Sequence, residues 1–256
     1  MTLESPIICP ENFYSDNLKM FDKVFTWKEE IANKENIIWI GLPNKIPNKV
    51  ISEENKGRKH LTMIAGNKKV TYEGELYSER EKVIKWFEKN APQDFDLYGF
   101  GWTYKIVKFP ISAIINRIPL LKKTFKLNLK VYKGSVENKL EVLNEYKFSI
   151  CYENALGYDG YISEKIFDCF FCGVIPIYLG ANNINKYIPD NIYIDKNKFK
   201  TYQELHIFLK TMPNEEYIRY TTAIRKFVEE ERCGEFNAEK FVDKVSIEIK
   251  KILFLE

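Results

Sequence analysis

Residues 152 to 180 read YENALGYDGYISEKIFDCFFCGVIPIYLG, which sets tyrosines, carboxylates and glycines in front of Ser-Glu-Lys and an apolar segment. Ser163 stands where a helix N-cap is expected, Gly173 where the same helix would stop, and Glu164 and Lys165 fall in its first turn. A helix N-terminus exposes unpaired N–H groups and partial positive charge, so it attracts phosphate. Lys165 adds a full positive charge, which opposes the helix dipole by a few tenths of a kcal/mol to about 1 kcal/mol. An anionic ligand would compensate it; on the bland alternative, Glu164 and Lys165 are solvated residues of an amphipathic helix. Arg80, at the start of the amphipathic segment EREKVIKWF, supplies a second cation whose planar donor fork suits a diphosphate.

These residues need a scaffold that brings them together. LTMIAGN from Leu61, FDLYGFGW from Phe95, YKFSICYEN from Tyr146, VIPIYLG from Val174 and NIYIDKNKF from Asn191 read as short apolar strands. They alternate with helical patterns in SEREKVIKWFEKN, VENKLEVLNEY, SEKIFDCFFCG, TYQELHIFLKTM and EEYIRYTTAIRKFVEEE. Such alternation implies a parallel sheet covered on both faces, with ligands bound at the carboxyl ends of its strands. Gly66-Asn67, Gly99 to Trp102 and Glu153-Asn154 each follow a strand and would meet in that crevice. Upstream, SPIICP reads as extended, FDKVFTW precedes a helix candidate in WKEEIANK, and NIIWIGLP is an apolar strand. PNKIPNKVISEENKGRKH, aperiodic and polar, reads as a linker.

Several chemistries are disfavoured. No Walker-type GxxxxGK[ST] and no GxGxxG occur; GFGWTY carries only the first two glycines of the latter. Asp94-Phe95-Asp96 matches the DxD of metal-dependent sugar transferases, yet three-residue matches are common by chance and both carboxylates can be accommodated along a strand. Cys169 and Cys172 form a CxxC that closes a helix instead of opening one, as expected of core packing. The five cysteines are odd in number and scattered, which suits reduced thiols. In 256 residues, 39 basic and 36 acidic side chains leave a net charge of +3, so no global field for nucleic acid or membrane is implied. No apolar run approaches the roughly 20 residues that span a bilayer.

YKFSICYEN followed by GYISEKIFDCFFCGVIPIYLG resembles the α1,3/α1,4-fucosyltransferase signature of glycosyltransferase family 10. The matching positions are Tyr146, Lys147, Phe148, Glu153, Asn154, Tyr161, Ile162, Ser163, Glu164, Lys165, Gly173, Ile175, Pro176, Ile177 and Gly180. ELYSER with Arg80, FDLYGFGW and GSVENKLEVLNEYKF are similar to the same family, so the likeness runs from about residue 60 to about 235. Leu3, Glu4, Ser5 and Pro6 resemble its E-S-P segment.

The resemblance implies an α/β, GT-B-like fold of two Rossmann-like domains with parallel sheets, the N-terminal one truncated. The expected boundaries are 1–56 for a partial acceptor-side domain, 57–235 for a GDP-fucose-binding Rossmann-like domain, and 236–256 for a C-terminal helix. It implies inverting transfer of L-fucose from GDP-β-L-fucose to a hydroxyl of an oligosaccharide or lipid-linked glycan acceptor, through an α1,3 or α1,4 linkage to an N-acetylglucosamine- or glucose-type sugar. Glu4 is the implied catalytic base, although by position alone it would belong to a frayed chain end. Arg80 and Lys165 would hold the diphosphate, and Asn67, Asn154, Tyr161 and Glu164 would bind guanine, ribose or fucose hydroxyls. No cofactor or metal is required on this reading, and nucleic acid is not an expected partner.

Two other readings stay open: a transferase of another nucleotide sugar with a metal at Asp94 and Asp96, and a catalytically silent GDP-sugar-binding remnant. The expected location is the cytosol. Lys250, Lys251 and Phe254 belong either to a final helix packed on the core or to a membrane-surface helix, as relatives acting on lipid-linked glycans suggest.

Overall fold

The computed structural model describes residues 1–2, 4–32, 36–51, 57–104 and 126–253. Leu3 and Phe254 lie outside the described residues, as do parts of the helix candidate at 27–34 and of the linker at 43–60.

A parallel sheet of six strands dominates the fold: β3 (Lys59–Ile64), β4 (Phe95–Tyr98), β5 (Tyr132–Gly134), β6 (Tyr146–Tyr152), β7 (Ile175–Leu179) and β8 (Ile194–Asp195). Their spatial order is β5-β4-β3-β6-β7-β8, the doubly wound order in which the chain leaves the centre one way and then returns to build the other half. Register aligns Phe95, Leu61, Phe148 and Ile175 across four neighbouring strands. β7 is buried at every position and β6 at all but Lys147, as expected where helices cover both faces of a parallel sheet. The covering helices are α2 (Tyr77–Asn90), α3 (Lys139–Leu143), α4 (Glu164–Phe171), α5 (Tyr202–Thr211) and α6 (Asn214–Glu229). Thr201 caps α5 by accepting from the Glu204 N–H.

A second, two-stranded parallel sheet pairs β1 (Val24–Thr26) with β2 (Ile37–Trp39), close to the short α1 (Ser15–Leu18). The chain start joins it, since Thr2 bridges to Thr26. α7 (Ala238–Ile252) lies against this part of the molecule: the Ala238 N–H donates to Asn44 O at 2.9 Å, Lys23 pairs with Glu248 at 3.6 Å, and Lys244 sits over the Trp39 ring.

Four sequence expectations need correction. SPIICP, read as extended, turns at residues 6–8 and leads into a 3-10 helix, Pro10–Phe13. WKEEIANK makes only turns as far as Ala32, because Glu29 is drawn across the molecule by the Asn183 amide, by Lys186 at 2.5 Å and by the Tyr187 hydroxyl. The supposed linker is packed: Ile46 and Val50 join the main core, the Val50 N–H donates to Glu229, and Arg232 donates to the carbonyls of Ile46 and Pro47. Ser163 occupies the N-cap position of α4 without capping it; its hydroxyl is engaged elsewhere, as described below. Cys169 and Cys172 are free and buried, with Cys169 Sγ 3.2 Å from Cys151 Sγ.

Candidate active site

β3 and β6 are neighbours whose onward connections run to opposite sides of the sheet, and a crevice opens beyond their carboxyl ends. There a cleft of about 370 Å³ is lined by Ala65, Gly66 and Lys68 after β3, Gly99 and Phe100 after β4, Asn154 after β6, Tyr77 and Arg80 from α2, and Glu164, Lys165 and Asp168 from α4. Lys139 of α3 closes one side, paired with Asp168 at 3.5 Å and Glu164 at 3.7 Å.

The organising group is Glu153, fully buried just past the end of β6. Its Oε1 accepts from the Ser163 N–H at 2.8 Å, and its Oε2 accepts from the Ser163 hydroxyl at 2.7 Å and from Lys165 Nζ at 3.4 Å. Lys165 also donates to Ser163 Oγ at 2.8 Å. A buried carboxylate survives only when paired and hydrogen-bonded, and Glu153 meets both conditions. It needs a close neighbour without a side chain: a Cβ on Gly180 would lie 2.6 Å from Glu153 Cγ and 2.5 Å from the Tyr178 hydroxyl.

Arg80 is 5% exposed and stacks over the Tyr77 ring at 4.8 Å. Nη2 makes all of its bonds among the described residues, donating to Tyr152 O at 2.6 Å, Glu153 O at 2.7 Å and Asn154 Oδ1 at 3.1 Å. Part of the guanidinium thus ties α2 to the end of β6, and the side chain also lines the cleft.

Burial brings the Arg80 guanidinium below its ordinary pKa, opposed by Tyr77 and Glu153. Burial works against the Lys165 ammonium, but Glu153 and Glu164 outweigh it and raise its pKa. Burial likewise opposes the Glu164 carboxylate, and Lys165 and Lys139 bring its pKa below the ordinary value. Burial raises Tyr161 well above a normal phenol, so it offers a neutral hydroxyl.

Tyr161 packs against Trp27 and receives a hydrogen bond from the Asn154 amide at 3.4 Å. Glu4 is exposed, and its charge adds to the upward shift of both Tyr161 and Tyr77, but it is not among the residues that line the cleft. Its backbone carbonyl accepts from Trp27 Nε1 at 3.4 Å.

The structure therefore brings Arg80, Asn154, Tyr161, Glu164 and Lys165 together, with Glu4 alongside. Asn67 stands apart: its amide donates to Gly101 O at 2.9 Å and holds the neighbouring loop, while Gly66 and Lys68 line the cleft. Asp94 bonds His206 and Lys210, both at 2.9 Å. Asp96 bonds Tyr146 at 2.6 Å and Lys133 at 3.2 Å. Neither aspartate lines the cleft. Sequence reasoning missed Glu153 as a partner of Lys165, and Lys68 and Lys139 as cleft residues; for Glu153, its place at a strand end ahead of a cationic helix start was the available signal.

The model of glycosyltransferase family 10 (fucosyltransferase), C-terminal part, matches residues 111–245, more than half of the chain. The chain belongs to this family. An α-(1,3)-fucosyltransferase of Helicobacter pylori is 40% identical over 76 residues, which are 30% of this chain and 16% of that protein. An α-(1,4)-fucosyltransferase of Arabidopsis thaliana is 32% identical over 92 residues, 36% of this chain and 21% of that one. The aligned stretches thus span well under two thirds of these family 10 relatives. A crystal structure of an α1,3-fucosyltransferase with GDP superposes with a TM-score of 0.53 at 16% identity, covering 88% of this chain and 74% of that one. At that identity the likeness concerns the fold, which is the GT-B-like α/β arrangement expected for family 10.

Proposed function

We propose that this chain transfers L-fucose from GDP-β-L-fucose to a hydroxyl of a glycan acceptor with inversion at the anomeric carbon. The observation that carries this reading is the pair of cations, Arg80 and Lys165, held by buried oxygen acceptors at the crevice between β3 and β6. As the acceptor oxygen attacks C1 of fucose from the face opposite GDP, the bond from C1 to the β-phosphate oxygen breaks and its electron pair leaves with GDP. Arg80 and Lys165 stabilise that growing charge, and an interaction stronger in the transition state than in the ground state accelerates the step. Glu4 takes the proton released by the acceptor hydroxyl. Asn154, Tyr161 and Glu164 orient the ribose or fucose hydroxyls. The membership in family 10 and the GDP-bound structural relative support the choice of donor.

Titration calorimetry with GDP-fucose, GDP-mannose and a UDP-sugar, with and without EDTA, followed by turnover on a range of glycan acceptors, tests the reading. GDP-fucose binding and turnover are expected, and Lys165→Ala is expected to remove both. Wild-type levels of binding and turnover in that variant would overturn the diphosphate assignment. Binding without turnover on any acceptor would favour a nucleotide-sugar-binding protein instead.

A further inference from the structure

Phe100 is 59% exposed, yet it lines the cleft on a loop that is pinned in place. Asn67 N–H donates to Phe100 O at 2.9 Å, Asn67 Nδ2 to Gly101 O at 2.9 Å, Trp102 Nε1 to Ala65 O at 2.7 Å, and the Tyr132 hydroxyl to Gly99 O at 2.9 Å. Gly99 has a φ of +124°, and a Cβ there would fall 2.1 Å from Ala65 O. The tip of the ring rests on Gly66, where a Cβ would lie 2.6 Å from Phe100 Cζ. This framework holds a large aromatic ring partly in water, where it gains nothing from core burial. A preorganised ring does gain when a planar ligand covers it, because little ordering entropy is then lost.

We propose that Phe100 and Lys68 form the nucleobase subsite of the cleft and select a guanine-type ring. This inference rests on the reading of the cleft as a nucleotide-sugar site. The base stacks on the exposed part of Phe100, a contact available to any base. Lys68 supplies the selectivity. Its ammonium lies 5.8 Å from the centre of the Phe100 ring and lines the same cleft. It can only donate hydrogen bonds, and guanine presents two acceptors, O6 and N7, on one edge, where adenine pairs N7 with an amino donor. The placement also fits the size of the ligand. β4 stands two strands from β6, a separation on the order of 10 Å, so Phe100 is displaced from Arg80 and Lys165 by a distance that a ribose can bridge.

The test measures affinities for GDP, ADP and inorganic pyrophosphate in the wild-type chain and in Phe100→Ala, Phe100→Tyr and Lys68→Met, with thermal melts as a check on folding. Phe100→Ala is expected to weaken GDP and ADP about tenfold or more while leaving pyrophosphate unchanged, as loss of one stacked base predicts. Phe100→Tyr keeps the stack and should stay within about twofold of wild type. Lys68→Met should narrow the preference for GDP over ADP while pyrophosphate again stays constant. Unchanged GDP affinity in Phe100→Ala, or an equal loss of GDP and pyrophosphate, would overturn the subsite while leaving the nucleotide reading intact. A preference for GDP that survives Lys68→Met would overturn the selectivity. A wild-type chain that binds none of the nucleotides would overturn both the subsite and the proposed function.

Discussion

Replacing Glu153 by glutamine keeps the shape of the side chain and removes its charge. One carbonyl oxygen remains to accept from the Ser163 N–H, but the new amide places donors where Oε2 accepted from Ser163 Oγ and Lys165 Nζ. At the 3.4 Å separation of Lys165 and Glu153, the Coulomb energy is about 5 kcal/mol for an effective dielectric constant near 20, an upper bound. Two observations reduce it. The Lys165 side chain is 27% exposed, and Glu164 at 3.7 Å remains to share its charge. A net loss of about 2 to 3 kcal/mol follows, which for a chain of this size lowers the melting temperature by roughly 5 to 10 °C.

A double-mutant cycle with Lys165→Met, read by urea denaturation, isolates the pair. The coupling expected between the two sites is about 2 kcal/mol, because a glutamine facing a methionine no longer opposes an ammonium. A coupling below about 0.5 kcal/mol, within the error of additivity, would refute the idea that Glu153 holds Lys165 in place.

Gly180→Ala pushes a methyl group against Glu153 Cγ and the Tyr178 hydroxyl, so a cost of about 1 to 3 kcal/mol is expected in denaturant melts, together with weaker GDP binding. The His60 ring is largely buried with Nε2 unpaired, and burial lowers its pKa from 6.5 to about 4, partly opposed by Asp94. Because the folded pKa lies below the unfolded one, the unfolded chain takes up the proton first. Stability is therefore lost as pH falls from about 6.5 towards 4, by at most about 3 kcal/mol. The His60→Gln variant should lack this component of the pH profile, and parallel profiles of the two proteins in urea melts would contradict it.

Much of the fold was legible because its causes are local. Strand runs such as YKFSICY and VIPIYL are short, nearly continuous apolar stretches, and SEREKVIKWFEKN repeats its apolar residues every 3.6 positions, patterns that neighbouring side chains define by themselves. The place of Lys165 in the first turn of a helix was legible for the same reason, and a lysine there is a local conflict with the dipole. The linker was misread because Ile46 and Val50 carry no periodic pattern; what buries them is α6 and the segment after it, more than 170 residues away in the chain at Glu229 and Arg232. WKEEIANK has the composition of a helix, but Glu29 is claimed by Asn183 and Lys186, partners that local propensity does not see.

The sequence by itself determined an alternating α/β chain, a parallel sheet, and a helix start that carries Lys165. Tertiary structure alone decided which strands became neighbours, that Glu153 rather than solvent balances Lys165, that part of Arg80 is spent on the end of β6, and that Asp94 and Asp96 are occupied outside the cleft. The physical reason is one of range. Periodicity and helix-end electrostatics act over a few residues, whereas pairing a buried charge requires a particular partner, and which one is near follows from the order of the strands.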